Sequence, residues 1–280
     1  MRFTKCHGAG NDFVVVDARA IELPWSDVAK RVCDRHFGVG SDGIILVMNS
    51  MSADLKMRMF NPDGSEAEAC GNGLRCFVKY AVDHIVTDKV AFTVETVGGV
   101  RNVTAFPDES GRVVEAELSM GAPMFEPTQI PADLLGVAVP IVDYPVDTAE
   151  RTIRVSMVSM GNPHAVTFID SNVADYPLHV VGPTIEHHPV FPLRVNFEIA
   201  RVEGRGDISA RVWERGAGET LACGSGACAI AVAARLLDLC DETVRIHLPG
   251  GVLTITWQGG DSEVLLRGPV EQVFTGDWPY

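Results

Sequence analysis

The sequence predicts an α/β (α+β) protein made of two duplicated halves, each a set of short strands around one central helix. Three observations lead there: a cysteine block that occurs twice, apolar runs of strand length, and a proline-rich stretch between the two copies. Each copy of an internal repeat marks a structural unit.

The first copy, "MRMFNPDGSEAEACGNGLRC" at 57–76, aligns without a gap on "ARVWERGAGETLACGSGACA" at 210–229. Ala69-Cys70-Gly71-Asn72-Gly73 falls on Ala222-Cys223-Gly224-Ser225-Gly226, while upstream Arg58 falls on Arg211, Phe60 on Trp213 and Glu66 on Glu219. A second pair precedes each block, "GNDFVVVD" from Gly10 and "GNPHAVTFID" from Gly161. A lone Gly-x-Gly match marks any turn, but two motifs repeated in the same order mark a duplication.

Short β-branched or aromatic runs between turn residues predict strands at 13–17, 43–48, 55–60, 90–95, 99–105 and 112–118. The second half repeats the pattern at 153–158, 164–169, 197–203, 207–213, 243–248, 251–257 and 263–267. Helical spacing predicts a helix over 25–36 with Gly38 as its stop, and one opening after each of Cys70 and Cys223. Pro123, Pro127, Pro131, Pro140 and Pro145 suit 121–147 poorly to central strands or long helices, and the crossover between halves is expected in this region. The last strand, near "SEVLLRGPV", follows a completed second unit and is expected to return to the first. The expected domains are therefore 1–119 with 264–280, and 120–263.

A net charge of −14, from 37 acidic and 23 basic residues with no basic run, excludes the electrostatic footprint of a nucleic-acid binder. No apolar run approaches the about 18 residues of a membrane span, and the opening "MRFTKCHGAGNDFVVVD" lacks a signal-peptide core, so a cytoplasmic protein without membrane contact is expected. Seven cysteines, an odd number without a secretion signal, argue for reduced thiols over a disulfide framework.

A cysteine at a helix start faces N–H groups that the helix itself does not use, and the positive end of its macrodipole. Both favour thiolate, and the placement can lower a thiol from about 8.5 to roughly 3.5–7.5, whereas apolar burial raises it. The same N–H groups bind a carboxylate, and Gly71, Asn72, Gly224 and Ser225 supply that backbone. Two such starts around one substrate suit racemisation: a thiolate on one face takes an α-proton and a thiol on the other returns one. Asn61, Glu214 and Arg215 stand at strand ends before the cysteine loops, and Asn11, Asn162 and His164 lie in the other repeated motif.

In "HGAGNDFVVVD", "FNPDGSEAEACGNGLRCF", "GNPHAV", "RVNFEIARV" and "RVWERGAGETLACGSGACA", the chain resembles the diaminopimelate epimerase family over essentially its whole length. The resemblance implies two pseudo-symmetric domains, each a mostly antiparallel β-sheet or barrel wrapped around a central helix. It also implies interconversion of LL- and meso-diaminopimelate, a step serving lysine and peptidoglycan biosynthesis, with no cofactor: neither pyridoxal phosphate nor metal. Cys70 and Cys223 become the acid/base pair, listed in the family as donor and acceptor, labels that exchange with direction. Gly71, Asn72, Gly224 and Ser225 would hold the reacting carboxylate, with Asn11, Asn61, Asn162, Asn196 and Arg215 on the rest of the substrate. His164 and Glu214 match positions assigned to the reacting amino group and to tuning the thiols. Diaminopimelate is the one small-molecule partner implied, and a homodimer is compatible with the resemblance. One departure is Gly43, in "GVGSDG", where some relatives carry a substrate-binding glutamine.

Simpler readings apply elsewhere. Cys6, Cys33, Cys76, Cys228 and Cys240 read as small buried residues. Spacings C-x5-C and C-x4-C without a histidine partner argue against zinc. His187 and His188 read as a solvated turn, and Arg211 with Glu219 as a structural ion pair. Two rival functions stay open at this point: another two-thiol enzyme, such as a proline racemase or a phenazine-biosynthesis isomerase, and a non-catalytic redox sensor closing a Cys70–Cys223 disulfide.

Overall fold

A computed structural model describes residues 1–67 and 70–279. Glu68 and Ala69 of the first cysteine block, and Tyr280 at the end of the segment assigned to the first domain, lie outside the described residues. The chain divides into two compact units, Met1–Ser119 with Arg267–Tyr280, and Met120–Leu266.

The first unit begins with β1 (Arg2–Gly8), β2 (Asn11–Asp17), α1 (Trp25–Val32), β3 (Gly43–Met48), β4 (Leu55–Phe60) and β5 (Glu66–Ala67). It continues through α2 (Gly71–Asp83), β6 (Ala91–Thr96), β7 (Gly99–Pro107) and β8 (Val113–Ser119). β1 pairs antiparallel with β2, β2 parallel with β3, β3 antiparallel with β4, β4 parallel with β6, and β6–β7–β8 form an antiparallel meander.

The second unit holds β9 (Tyr144–Asp147), β10 (Thr152–Ser159), β11 (Pro163–Phe168), α3 (Leu178–Glu186), β12 (Asn196–Gly204), β13 (Asp207–Glu214) and β14 (Gly218–Thr220). α4 (Gly224–Leu236), β15 (Thr243–Leu248) and β16 (Gly251–Thr256) follow. Its pairing repeats that of the first: β10–β11 antiparallel, β11–β12 parallel, β12–β13 antiparallel, β13–β15 parallel, β15–β16 antiparallel. The duplication therefore extends from the cysteine blocks to the hydrogen-bond ladder. The chain leaves this unit within β17 (Leu265–Pro269), and β18 (Glu271–Asp277) pairs antiparallel with β1.

A parallel pair needs a crossover, and a helix supplies it in both units: α1 between β2 and β3, α3 between β11 and β12. Each crossover helix is amphipathic. Trp25, Val28, Ala29 and Val32 of α1 join Val14, Val16, Ile44 and Leu46 in one core, and Leu178, Val181 and Ile185 of α3 join Phe197 and Ile199 in another. The helices at the cysteines are different, because burial runs around nearly the whole of α2 (71–79 and 81) and α4 (224 and 226–234). A helix buried on every face runs through a core and not over it, and the alanines of α4 at 227, 229, 231, 233 and 234 let the strands approach closely.

Several expectations change. The helix expected over 25–36 ends at Val32, because the Asp34 carboxylate takes the N–H groups of His36 and Phe37 and turns the chain. Gly38 does not follow the last helical turn but lies against it, where a Cβ would stand 2.3 Å from the Arg31 carbonyl oxygen. The sequence pattern does not predict α3, since "GP" at 182–183 interrupts it; Gly182 is required there because a Cβ would come within 2.5 Å of the Trp213 indole. β1 and β18 are also additions, both mixing polar and apolar residues too irregularly for a clean alternation.

Candidate active site

Cys70 caps α2 in extended conformation, its Sγ 3.3 Å from the Gly73 N–H that donates to it. Gly73 permits that approach: a Cβ there would be 3.3 Å from Cys70 Sγ and 3.2 Å from Met59 Sδ. Asn11 Oδ1 lies 3.9 Å from the Cys70 thiol and accepts from Asn72 Nδ2 at 3.3 Å. The Asn11 amide is fixed from its other side, donating to Asp42 Oδ2 at 2.7 Å.

Arg35 bridges Asp42 and Asp12 at 2.7 Å each, and Lys5 pairs with Asp12 and the Gly40 carbonyl. Burial alone would raise the Asp12 carboxyl, but hydrogen bonds from Arg35 and Lys5 prevail and hold it down at about 2. Within α2, the buried Arg75 donates to Asn72 Oδ1 at 2.8 Å and to the Pro269 carbonyl at 3.1 Å, so Asn72 is oriented from both sides. Asn61 is engaged differently, closing a turn through the backbone and hydroxyl of Ser65.

Cys223 caps α4 in the equivalent way, also extended, but its thiol makes no cap hydrogen bond and meets Ser225 Oγ at 3.5 Å. Of the two opposing influences on a thiol at a helix start, burial outweighs the helix terminus here. Burial first, then the Glu214 carboxylate, push the Cys223 thiol well above its ordinary range; the Ser225 hydroxyl opposes them and Glu198 adds to the rise.

His164, fully buried on β11, sets Nδ1 2.6 Å from Glu198 Oε1 and Nε2 3.0 Å from Asn162 Oδ1. Asn196 ties two loops together, donating to the Pro163 carbonyl at 2.9 Å and accepting from the Arg215 N–H at 2.8 Å. The turn after Glu214 is held from α3 by Glu186, which accepts from Gly216 N–H at 2.9 Å and from Trp213 Nε1 at 2.7 Å. Glu214 itself accepts from Thr220 Oγ1, and the exposed Arg215 reaches the Leu193 carbonyl.

The structure thus collects Cys70, Asn11 and Asn72 in the first unit, and Asn162, His164, Asn196, Arg215, Cys223 and Ser225 in two linked clusters of the second. Sequence reasoning missed Arg35, Asp42, Arg75, Glu186 and Glu198. The clearest signal was Glu198, a charged residue inside the otherwise apolar strand "NFEIA". Cys6, Cys33, Cys76, Cys228 and Cys240 are buried, and among the described residues no three His, Cys, Asp or Glu side chains gather into a metal-binding group.

A family model described as diaminopimelate epimerase matches residues 3–125 and 156–273. A diaminopimelate epimerase of Moorella thermoacetica is 47% identical over 281 residues, covering 100% of this chain and 99% of the relative, and one of Methanococcus maripaludis is 44% identical, covering 99% of each. Among solved structures, a Bacillus anthracis phenazine biosynthesis protein aligns with a TM-score of 0.71 at 17% identity, covering 100% of this chain and 99% of its own. A probable proline racemase from Agrobacterium radiobacter aligns at 0.70 with 13% identity, covering 99% and 92%. Those two share the fold. At 44–47% identity over full length, with both cysteine blocks inside the matched regions, the chain belongs to the diaminopimelate epimerase family.

Proposed function

We propose that this chain interconverts LL- and meso-diaminopimelate, with Cys70 and Cys223 as the two proton carriers and with neither pyridoxal phosphate nor metal. The observation that carries the reading is the matched pair of helix starts, each a cysteine in extended conformation followed by a turn of Gly-Asn/Ser-Gly. Family membership supports the substrate.

In the reaction, one cysteine as thiolate removes the α-proton, and the electron pair moves into the carboxylate-stabilised carbanion. N–H groups at 71–72 and 224–225 stabilise that charge. The second cysteine, as thiol, delivers its proton to the opposite face, leaving the configuration inverted and the two cysteines with exchanged protonation. No electron is gained or lost. The raised Cys223 thiol supports a resting enzyme in which Cys223 holds its proton. Asn11, Asn61, Asn162, Asn196 and Arg215 bind the distal amino-acid end, and His164 with Glu214 meets the reacting amino group and tunes the thiols. The two units serve as the epimerase's two domains.

Incubation with either stereoisomer in heavy water is expected to place deuterium at the α-carbon of the epimerised product. Cys70→Ser and Cys223→Ser are each expected to abolish epimerisation; full activity in either variant overturns the assignment, and activity on proline with none on diaminopimelate overturns the substrate. The proposal extends to a cytoplasmic enzyme acting as a homodimer, which light scattering of the purified protein tests.

A further inference from the structure

Glu198 is fully buried in β12, and the proton-transfer scheme gives it no part. Its Oε1 lies 2.6 Å from His164 Nδ1, and its Oε2 meets no hydrogen-bond partner among the described residues. A buried carboxyl with one unanswered oxygen is costly to keep: burial pushes the Glu198 carboxyl up, and His164 beside it opposes the rise and favours the charged form.

Its position gives the reason to keep it. A Cβ placed on Gly226, in the first turn of α4, would stand 3.0 Å from Glu198 Oε1 and 3.4 Å from Cys223 Sγ, so the carboxyl and the thiol flank the same helical residue. A side chain at 226 would press on both, and with glycine there none stands between them.

We propose that Glu198 is a positioning residue of the second thiol: it holds the His164 ring by Nδ1 and sets a negative group against the first turn of α4, where it keeps the proton on Cys223. The inference rests on the reading of Cys223 as a proton carrier. His164 with Nε2 held by Asn162 and Nδ1 by Glu198 has a fixed ring plane, so the carboxyl acts on both the ring and the thiol. The titratable groups facing this point are His164 from β11, Glu214 from β13 and Cys223 from α4; Glu186 on α3 is engaged by Trp213, Gly216 and Arg194.

A like charge beside a thiol disfavours thiolate, so its removal favours thiolate. Glu198→Gln keeps the size and a hydrogen-bonding oxygen but loses the charge. Iodoacetamide alkylation of Cys223, located by mass spectrometry across a pH series, is expected to show a midpoint lowered by about one unit. The limb of kcat/KM that reports Cys223 should shift likewise, with KM within about twofold. An unchanged alkylation midpoint overturns the proposal, even if activity falls.

Should Glu198→Gln fail to fold, Glu198→Asp draws the charge back by one methylene, and its midpoint is expected to fall by about half as much; no fall overturns the proposal equally. Alkylation reads the thiol whether or not turnover survives, so failure here is distinct from failure of the two-thiol reading, which Cys223→Ser decides.

Discussion

The Arg211 guanidinium grips the Glu219 carboxylate through two hydrogen bonds of 2.7 and 2.9 Å, and its remaining nitrogen holds the carbonyls of Val173 and Tyr176. The first unit repeats the grip, Arg58 on Glu66 at 2.7 and 2.8 Å, without the extra carbonyls and with more exposure. Arg211→Ala is therefore expected to cost about 2 kcal/mol in urea unfolding, because it orphans carbonyls as well as a carboxylate. Arg58→Ala is expected to cost about 0.5 kcal/mol, as an exposed pair does. Equal losses would refute the distinction.

Gly73 separates stability from activity. An alanine in a helix interior ordinarily gains up to about 1 kcal/mol over glycine, but here its Cβ would press on Cys70 Sγ. Gly73→Ala is expected to melt within a few degrees of wild type while kcat drops roughly tenfold or more, since reacting groups tolerate little displacement. A variant of unchanged kcat would show that the thiol has room to move.

Glu186 braces the turn that carries Arg215. Glu186→Ala removes the acceptor of the Gly216 N–H and the Trp213 indole, so a loss of about 2 kcal/mol and a raised KM with a smaller change in kcat are expected. Steady-state kinetics at several diaminopimelate concentrations make the split visible, and an unchanged KM counts against the brace.

Alkaline pH tests the buried thiols. Burial pushes Cys6 up to about 12 and Cys240 up to about 11, whereas unfolded thiols ionise near their ordinary value. The folded state thus binds these protons more tightly. Its advantage is complete below the unfolded value and is lost as pH rises toward the folded ones. Urea midpoints are expected to fall between about pH 9 and 11, and Cys6→Ala with Cys240→Ser should flatten the fall. Parallel curves for wild type and double variant would assign it to other groups.

Much of this was legible in sequence because it is local. Cys70 and Cys223 announce themselves by the residues that follow them, and strands such as 43–48 and 243–248 carry their own apolar pattern. What stayed hidden depends on distant partners. α3 forms despite Gly182 and Pro183 because Leu178, Val181 and Ile185 find a core and Trp213 needs the space. Asp42 and Arg75 look like surface charges in the sequence, and only the fold brings them to Asn11 and Asn72. At Cys223 the helix start is written in the sequence and Glu214 is matched there to thiol tuning, but the depth of burial that dominates the thiol is not.

Gly43 begins β3 with the Phe60 carbonyl oxygen only 2.8 Å from where a Cβ would sit. A glutamine at this position is therefore not one substitution away. Its first carbon alone displaces the end of β4, immediately before Asn61. The two positions are interlocked: with β4 closed over a glycine, a side chain at 43 requires a second change that reopens the strand. Directed selection for a side chain at 43 is expected to recover a compensating change at the end of β4 along with it.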